Sequence, residues 1–184
     1  KLLRDYKISP RELQSFCIAG EDGQFMGDNP DIKVYLASTS KLLTSYWAIE
    51  ELGPEYQYQT KLFLKNGQLH IQGSWDPFFG NEKMFFLLSQ LYDRGYKKFT
   101  KITFDKNTII YPGAQIHSNS YPIINKSTIA TNLKNYFNTS SWSEVFKSEY
   151  RRIASATQHL SGDRKINLKV EMDADSVEFV EKNP

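Results

Sequence analysis

A chain of 184 residues is long enough for one good core or two small ones. Its apolar fraction of 40% and charged fraction of 24% are those of a globular chain, and a net charge of +2 does not point to nucleic acid or an anionic membrane as partner. No run of about 18 apolar residues is present to span a bilayer, and the single cysteine, Cys17, excludes an internal disulfide.

In chain order, residues 1–14 mix charged and apolar positions and form a helical or loose lead-in. Ser15 to Ala19 reads as a strand with Cys17 in the core, and Gln24 to Gly27 as its return after the turn residues Gly20-Glu21-Asp22-Gly23. A third short extended run follows at 32–36. The stretch from Ser38 to Leu52 then has a helix start and a helix stop. Ser38 and Ser40 can cap free N–H groups, and Gly53-Pro54 ends the last turn. Leu42, Leu43, Tyr46, Trp47, Ile49 and Leu52 make this helix apolar nearly all round, which predicts burial.

Residues 56–64 read as a strand, Asn66-Gly67 as a hairpin turn and Leu69 to Gly73 as the return strand, with His70 on the wetter face. The spacing of Met84, Leu87, Leu88 and Leu91 predicts a helix over 81–94 closed by Gly95. Phe99 to Phe104 alternates as a strand, and Ile109 to Tyr111 is a further short one. Pro112-Gly113 and Ser118 to Pro122 are turns and loops. Helices are expected over 127–137 and 142–156. Lys165 to Met172 alternates over eight residues and reads as a strand that Ser176 to Val180 would join.

Most kinds of chemistry lack their residues. His70, His117 and His159 are isolated, so no metal site is expected. No glycine-rich phosphate loop is present, and no cofactor is expected. What remains is Ser38-x-x-Lys41. Residues three apart at a helix start share a face, so the Lys41 amine can reach the Ser38 hydroxyl. A serine is a poor nucleophile until a neighbouring base takes its proton, and a neutral lysine can be that base. The helix N-terminus adds a partial positive field where an oxyanion would form. The plainer reading of the four letters is a capping serine and a solvated lysine; a lysine among Leu42, Leu43 and Tyr46 favours the chemical one.

Three ordered stretches carry a resemblance: Leu36-Ala37-Ser38-Thr39-Ser40-Lys41-Leu42-Leu43-Thr44-Ser45, then Leu52 to Thr60, then Gly73-Ser74-Trp75-Asp76-Pro77. Over residues 15–110 the sequence resembles the amino-terminal part of the D-alanyl-D-alanine carboxypeptidases of the class C low-molecular-mass penicillin-binding proteins, peptidase family S13. The resemblance implies an α+β fold: part of a penicillin-recognising serine peptidase lobe over 1–60, with an inserted β-rich region over 61–184. It implies acyl transfer on D-Ala-D-Ala peptides of peptidoglycan, β-lactams as ligands, and a periplasmic or extracytoplasmic place for a bacterial protein whose signal peptide has been removed. Ser38 would be the acylated nucleophile and Lys41 its proton acceptor. Leu36 stands where the family has Pro, and neither a Ser-x-Asn nor a Lys-Thr-Gly triplet follows Lys41. Half of the expected site is therefore to come from a missing carboxy-terminal part of the same protein. The other reading is a degenerate homologue acting as a cell-wall-binding or interaction module.

Overall fold

The computed structural model describes residues 16–28, 33, 35, 37–111 and 125–181. The chain forms two compact units, Lys1–Tyr56 and Gln57–Pro184. The lead-in over 1–14, most of the run 32–36 and the turns over 112–124 lie outside the described residues.

In the first unit, β1 (Phe16–Ala19) pairs antiparallel with β2 (Phe25–Asp28), Cys17 opposite Gly27 and Ile18 opposite Met26. The turn between them is closed by its own groups. Gly20 N–H donates to the Gln24 carbonyl at 2.8 Å, and the Asp22 carboxylate accepts the Gln24 N–H at 3.1 Å. Cys17, Ile18, Phe25 and Met26 are exposed, so Cys17 is not the core residue that its apolar neighbours suggest. A 3-10 turn, Ala37–Thr39, leads into α1 (Ser40–Leu52). Gly53 closes α1 at φ 85°, its N–H donating to the Ile49 carbonyl. No residue of α1 is buried: Leu42, Leu43, Tyr46 and Trp47 are each about two-thirds exposed (71, 66, 65 and 66%). The all-round apolar pattern records a helix that needs covering, and the unit's described elements, one hairpin and one helix, do not supply the cover.

The second unit is built on a mixed sheet. β3 (Lys61–Lys65) and β4 (Gln68–Gln72) form an antiparallel hairpin. Its Asn66-Gly67 turn has φ of 50° and 73°, the left-handed pair that matches strand twist in a two-residue loop. Residues 56–60, expected to open this strand, precede its ladder. α2 (Asn81–Asp93) carries the chain to β5 (Lys98–Phe99) and β6 (Lys101–Phe104). α3 (Lys126–Tyr136) and α4 (Glu144–Ala156) precede β7 (Asp173–Ala174) and β8 (Val177–Phe179). The sheet order is β3-β4-β6-β8, with β4/β6 and β6/β8 parallel, and β5 and β7 pair parallel beside it. Parallel neighbours cannot be joined by a tight turn, so each crossover carries helices.

The packing follows from period. Leu69, Ile71, Ile102 and Phe104 alternate inward from β4 and β6. Against them lie Met84, Phe85, Leu88 and Leu91 of α2, with Ile129 and Leu133 of α3. Phe85 is the hub of an aromatic cluster, its ring centroid 5.9 Å from Tyr136, 5.7 Å from Trp142, 5.3 Å from Phe146 and 5.1 Å from Tyr150. The buried polar tips find partners: Tyr136 O–H donates to Asn81 Oδ1 at 2.5 Å, Trp142 Nε1–H to the Asn135 carbonyl at 2.8 Å, and Tyr150 O–H to the Asn167 carbonyl. α3 opens with a capping box between Asn125 and Thr128, and Ser143 caps α4 by accepting the Phe146 N–H.

Three expectations for this unit are corrected. His70 is buried at 4% exposure, because its cross-strand neighbours cover it: Phe63, ring centroids 6.0 Å apart, and Thr103, which shares a 2.9 Å hydrogen bond with Nδ1. Ile109 to Tyr111 is no strand; only an isolated parallel bridge joins Tyr111 to Gly80. Lys165 to Met172 is irregular chain without a ladder, bent at Lys165 and Leu168, and Val177–Phe179 pairs instead with β6. Its alternation is partly real, since Ile166, Val170 and Met172 are buried while Leu168 is half exposed. Side chains take the place of a neighbouring strand. Ile166 N–H donates to Thr157 Oγ1 at 2.9 Å, Asn167 N–H to Ser89 Oγ at 2.7 Å and Met172 N–H to Thr139 Oγ1 at 3.0 Å.

Burial pushes the phenol pKa of both Tyr136 and Tyr150 up, with the Asp93 charge adding to the shift at Tyr150. The unfolded chain releases these protons near pH ~10 and the folded chain only above it, so stability is whole below that pH and falls as pH rises beyond it. Chemical unfolding followed between pH 8 and 11 is expected to show this alkaline loss, reduced in Tyr150→Phe. An unchanged slope in that variant would contradict the assignment.

Candidate active site

The one nucleophile–base pair predicted from sequence is formed by the junction of the 3-10 turn and α1. Ala37 has φ 44°, a left-handed conformation that is strained for a residue with a side chain. Ser40 O–H donates to the Ala37 carbonyl at 2.7 Å and holds the strained residue in place. One turn on, Thr44 O–H lies 3.2 Å from the Ser40 carbonyl and 3.1 Å from that of Lys41, which pins the first turn of α1. Ser38 stands just before the helix and Lys41 is its second residue, so the two side chains meet. Lys41 Nζ donates to Ser38 Oγ at 3.3 Å.

Neither serine caps the helix as expected. Ser38 faces Lys41, Ser40 turns back to Ala37, and Thr39, the N-cap residue of α1, makes no side-chain cap bond. The first turn of α1 carries no acidic residue, and among the described residues Lys41 forms no ion pair. Ser38 is thus its one side-chain partner there. The pair is exposed, in contrast to the buried setting read from the helix pattern. The arrangement is a hydroxyl within reach of an amine, at the positive end of a 13-residue helix. Among the described residues no cluster of His, Cys, Asp or Glu could hold a metal. His159 is exposed and His117 lies outside the described residues.

The Gly73-Ser74-Trp75-Asp76-Pro77 loop belongs to the second unit and is a clamp. Gly73 N–H donates to Asp105 Oδ1 at 3.0 Å, and Trp75 N–H to the Asn107 carbonyl at 2.9 Å. A Cβ on Gly73 would stand 2.2 Å from that carbonyl oxygen and 2.4 Å from Thr108 Cα, so only glycine fits. Asp76, 6% exposed, accepts the Phe78 N–H at 2.9 Å and pairs with Lys83. Asp105, 3% exposed, also accepts from Asn107 N–H at 3.1 Å and Thr108 O–H at 2.9 Å. Sequence reasoning marked the glycine and Asp76 as a motif and missed Asp105, which follows β6 in a turn with Asn107 and Thr108 whose link to Gly73 no local pattern announces.

The profile of the D-Ala-D-Ala carboxypeptidase 3 (S13) family matches residues 19–115, which include both the Ser-x-x-Lys turn and the clamp loop. The chain belongs to the S13 family. The S13 resemblance read from residues 15–110 is therefore borne out, and with it the mixed α and β fold of penicillin-recognising peptidases. Among solved structures, Bd3459, a predatory peptidoglycan endopeptidase of Bdellovibrio bacteriovorus, matches with a TM-score of 0.68 and 24% identity over 91% of this chain and 44% of its own. The penicillin G-acylated form of Bd3459, in complex with immunity protein Bd3460, matches with a TM-score of 0.64 and 28% identity over 91% of this chain and 41% of its own. Bd0816, a second predatory endopeptidase of that organism, matches with a TM-score of 0.66 and 25% identity over 91% and 44%. No curated protein matches the sequence. This S13 chain thus spans less than half the length of the solved relatives it matches.

The clamp is open to a direct test. Gly73→Ala drives a methyl group into backbone atoms of Asn107 and Thr108 and is expected to cost about 1–3 kcal/mol, seen as a lower urea midpoint with the slope kept. Wild-type stability in Gly73→Ala would show that the loop yields and is no clamp.

Proposed function

We propose that the chain is the amino-terminal part of a serine-type D-Ala-D-Ala carboxypeptidase or endopeptidase that cleaves peptidoglycan peptides through an acyl-enzyme on Ser38. The observation that carries the reading is the 3.3 Å contact between Lys41 Nζ and Ser38 Oγ at a helix N-terminus, within a chain of the S13 family. The penicillin-acylated relative supports it.

In this mechanism Lys41, in its neutral form, accepts the Ser38 proton as Oγ bonds to the carbonyl carbon before the terminal D-Ala. The negative charge that develops on the carbonyl oxygen is met by the Ser38 backbone N–H and the field of α1. The C–N bond breaks, Lys41 returns the proton to the departing amine, and D-Ala leaves. Water then attacks the Ser38 ester, again with Lys41 as base, and frees the shortened peptide. β-Lactams acylate the same oxygen. Residues 1–60 contribute to the peptidase lobe and 61–184 form an inserted region. The remainder of the full-length protein completes the polar wall of the site and covers the apolar side chains of α1. A substrate in the cell wall places the protein outside the cytoplasm.

Full-length protein incubated with an acyl-D-Ala-D-Ala peptide is expected to release D-Ala. Ser38→Ala should abolish the release, and Lys41→Met should slow acylation by roughly a hundred- to ten-thousandfold, the range for loss of a positioned base. Undiminished D-Ala release by Ser38→Ala would overturn the assignment.

A further inference from the structure

We propose that the groove between α2 and α4 binds the free carboxylate end of a short peptide. It lies wholly within the unit Gln57–Pro184 and is independent of the role assigned to Ser38. Its volume is about 310 Å³, at the small end for a ligand site and suited to one or two residues of a peptide. Phe86, Ile153, Ala156 and Ile166 supply its apolar lining.

The charged lining is cationic apart from one group: Lys83, Arg152 and Arg164 against Glu82. Two of these cations are already engaged. Lys83 pairs with Asp76, and Arg152 forms a bidentate pair with Glu149, both contacts at 2.8 Å. That pair uses two of the five guanidinium N–H donors of Arg152. Arg164 forms no side-chain hydrogen bond or ion pair among the described residues. Its side chain is exposed, while its backbone is held beforehand. The segment that carries it is strapped to the end of α4, where Thr157 Oγ1 accepts the Ile166 N–H at 2.9 Å and Gln158 Nε2–H donates to the Ile166 carbonyl at 2.9 Å.

An apolar lining with an unengaged planar guanidinium suits an apolar residue that ends in a carboxylate, which arginine binds through two parallel N–H donors. Glu82 selects among such ligands. Its carboxylate would repel a second anion, and it can accept the amide N–H that precedes a peptide's last residue. A fatty acid offers no such donor.

Calorimetric titration of the full chain with acetyl-Ala-Ala-Leu, as free acid and as carboxy-terminal amide, tests the site. The acid should bind and the amide bind at least about tenfold more weakly, the loss expected when a charge-assisted pair is removed. Arg164→Gln should weaken the acid by a similar factor, and Ala156→Phe, which fills the groove, should abolish binding. Arg151→Gln, on the same helix but outside the groove, should leave binding unchanged. Circular dichroism of each variant separates lost binding from lost fold. Equal binding of acid and amide, no binding of the acid, wild-type affinity in a folded Arg164→Gln, or tighter binding of decanoate than of the peptide would overturn the proposal.

Discussion

The proposed reactivity of this chain depends on one contact, 3.3 Å between the Lys41 amine and the Ser38 hydroxyl. It exists because a 3-10 turn runs directly into an α-helix, so that residues three apart stack on one face. The turn is held by local bonds. Ser40 reaches back to Ala37, a residue in a left-handed conformation that would not persist without restraint. The serines and threonine of this stretch therefore serve the geometry of the turn rather than capping the helix. They bring a hydroxyl and an amine together at the positive end of a helix dipole, the arrangement on which the proposed acyl transfer rests.

The second unit obeys a different constraint. Its sheet is parallel beyond the first hairpin, so each crossover must bring helices back over it, and those helices need a common core. Phe85 meets that need as the centre of four aromatic contacts. The clamp loop after β4 then uses a glycine where backbone passes backbone and two buried aspartates where turns need acceptors. Within the stretch that matches the S13 profile, the motif residues of this loop are thus explained by packing and hydrogen bonding alone.

Legibility in the sequence followed how local each cause was. The Asn66-Gly67 hairpin and the helix ending near Gly95 were readable because turn dihedrals and helical period are set by neighbouring residues. The Ser38–Lys41 contact was readable for the same reason, with three residues on one turn. Failures came where a distant partner decides. Lys165 to Met172 alternates as a strand does, yet its N–H groups go to Thr157, Ser89 and Thr139, which no local pattern announces. His70 alternates with Leu69 and Ile71 in sequence, which points it to the other face, but that face is covered by Phe63 and Thr103 in space. The apolar faces of α1 and the β1–β2 hairpin state a demand for cover, and pattern alone cannot say what meets it. Asp105 makes two local turn bonds, to Asn107 and Thr108, but the bond from Gly73 N–H that ties it to the clamp comes from 32 residues away and has no local pattern.

In the proposed mechanism Ser38 Oγ is the acylated atom. Full-length protein labelled with penicillin G, digested and mapped by tandem mass spectrometry, tests it most directly. The penicilloyl mass is expected on the peptide containing Ser38, localised to that side chain. Label on any other serine, or an unmodified Ser38 peptide in a protein that has demonstrably bound penicillin covalently, would contradict it.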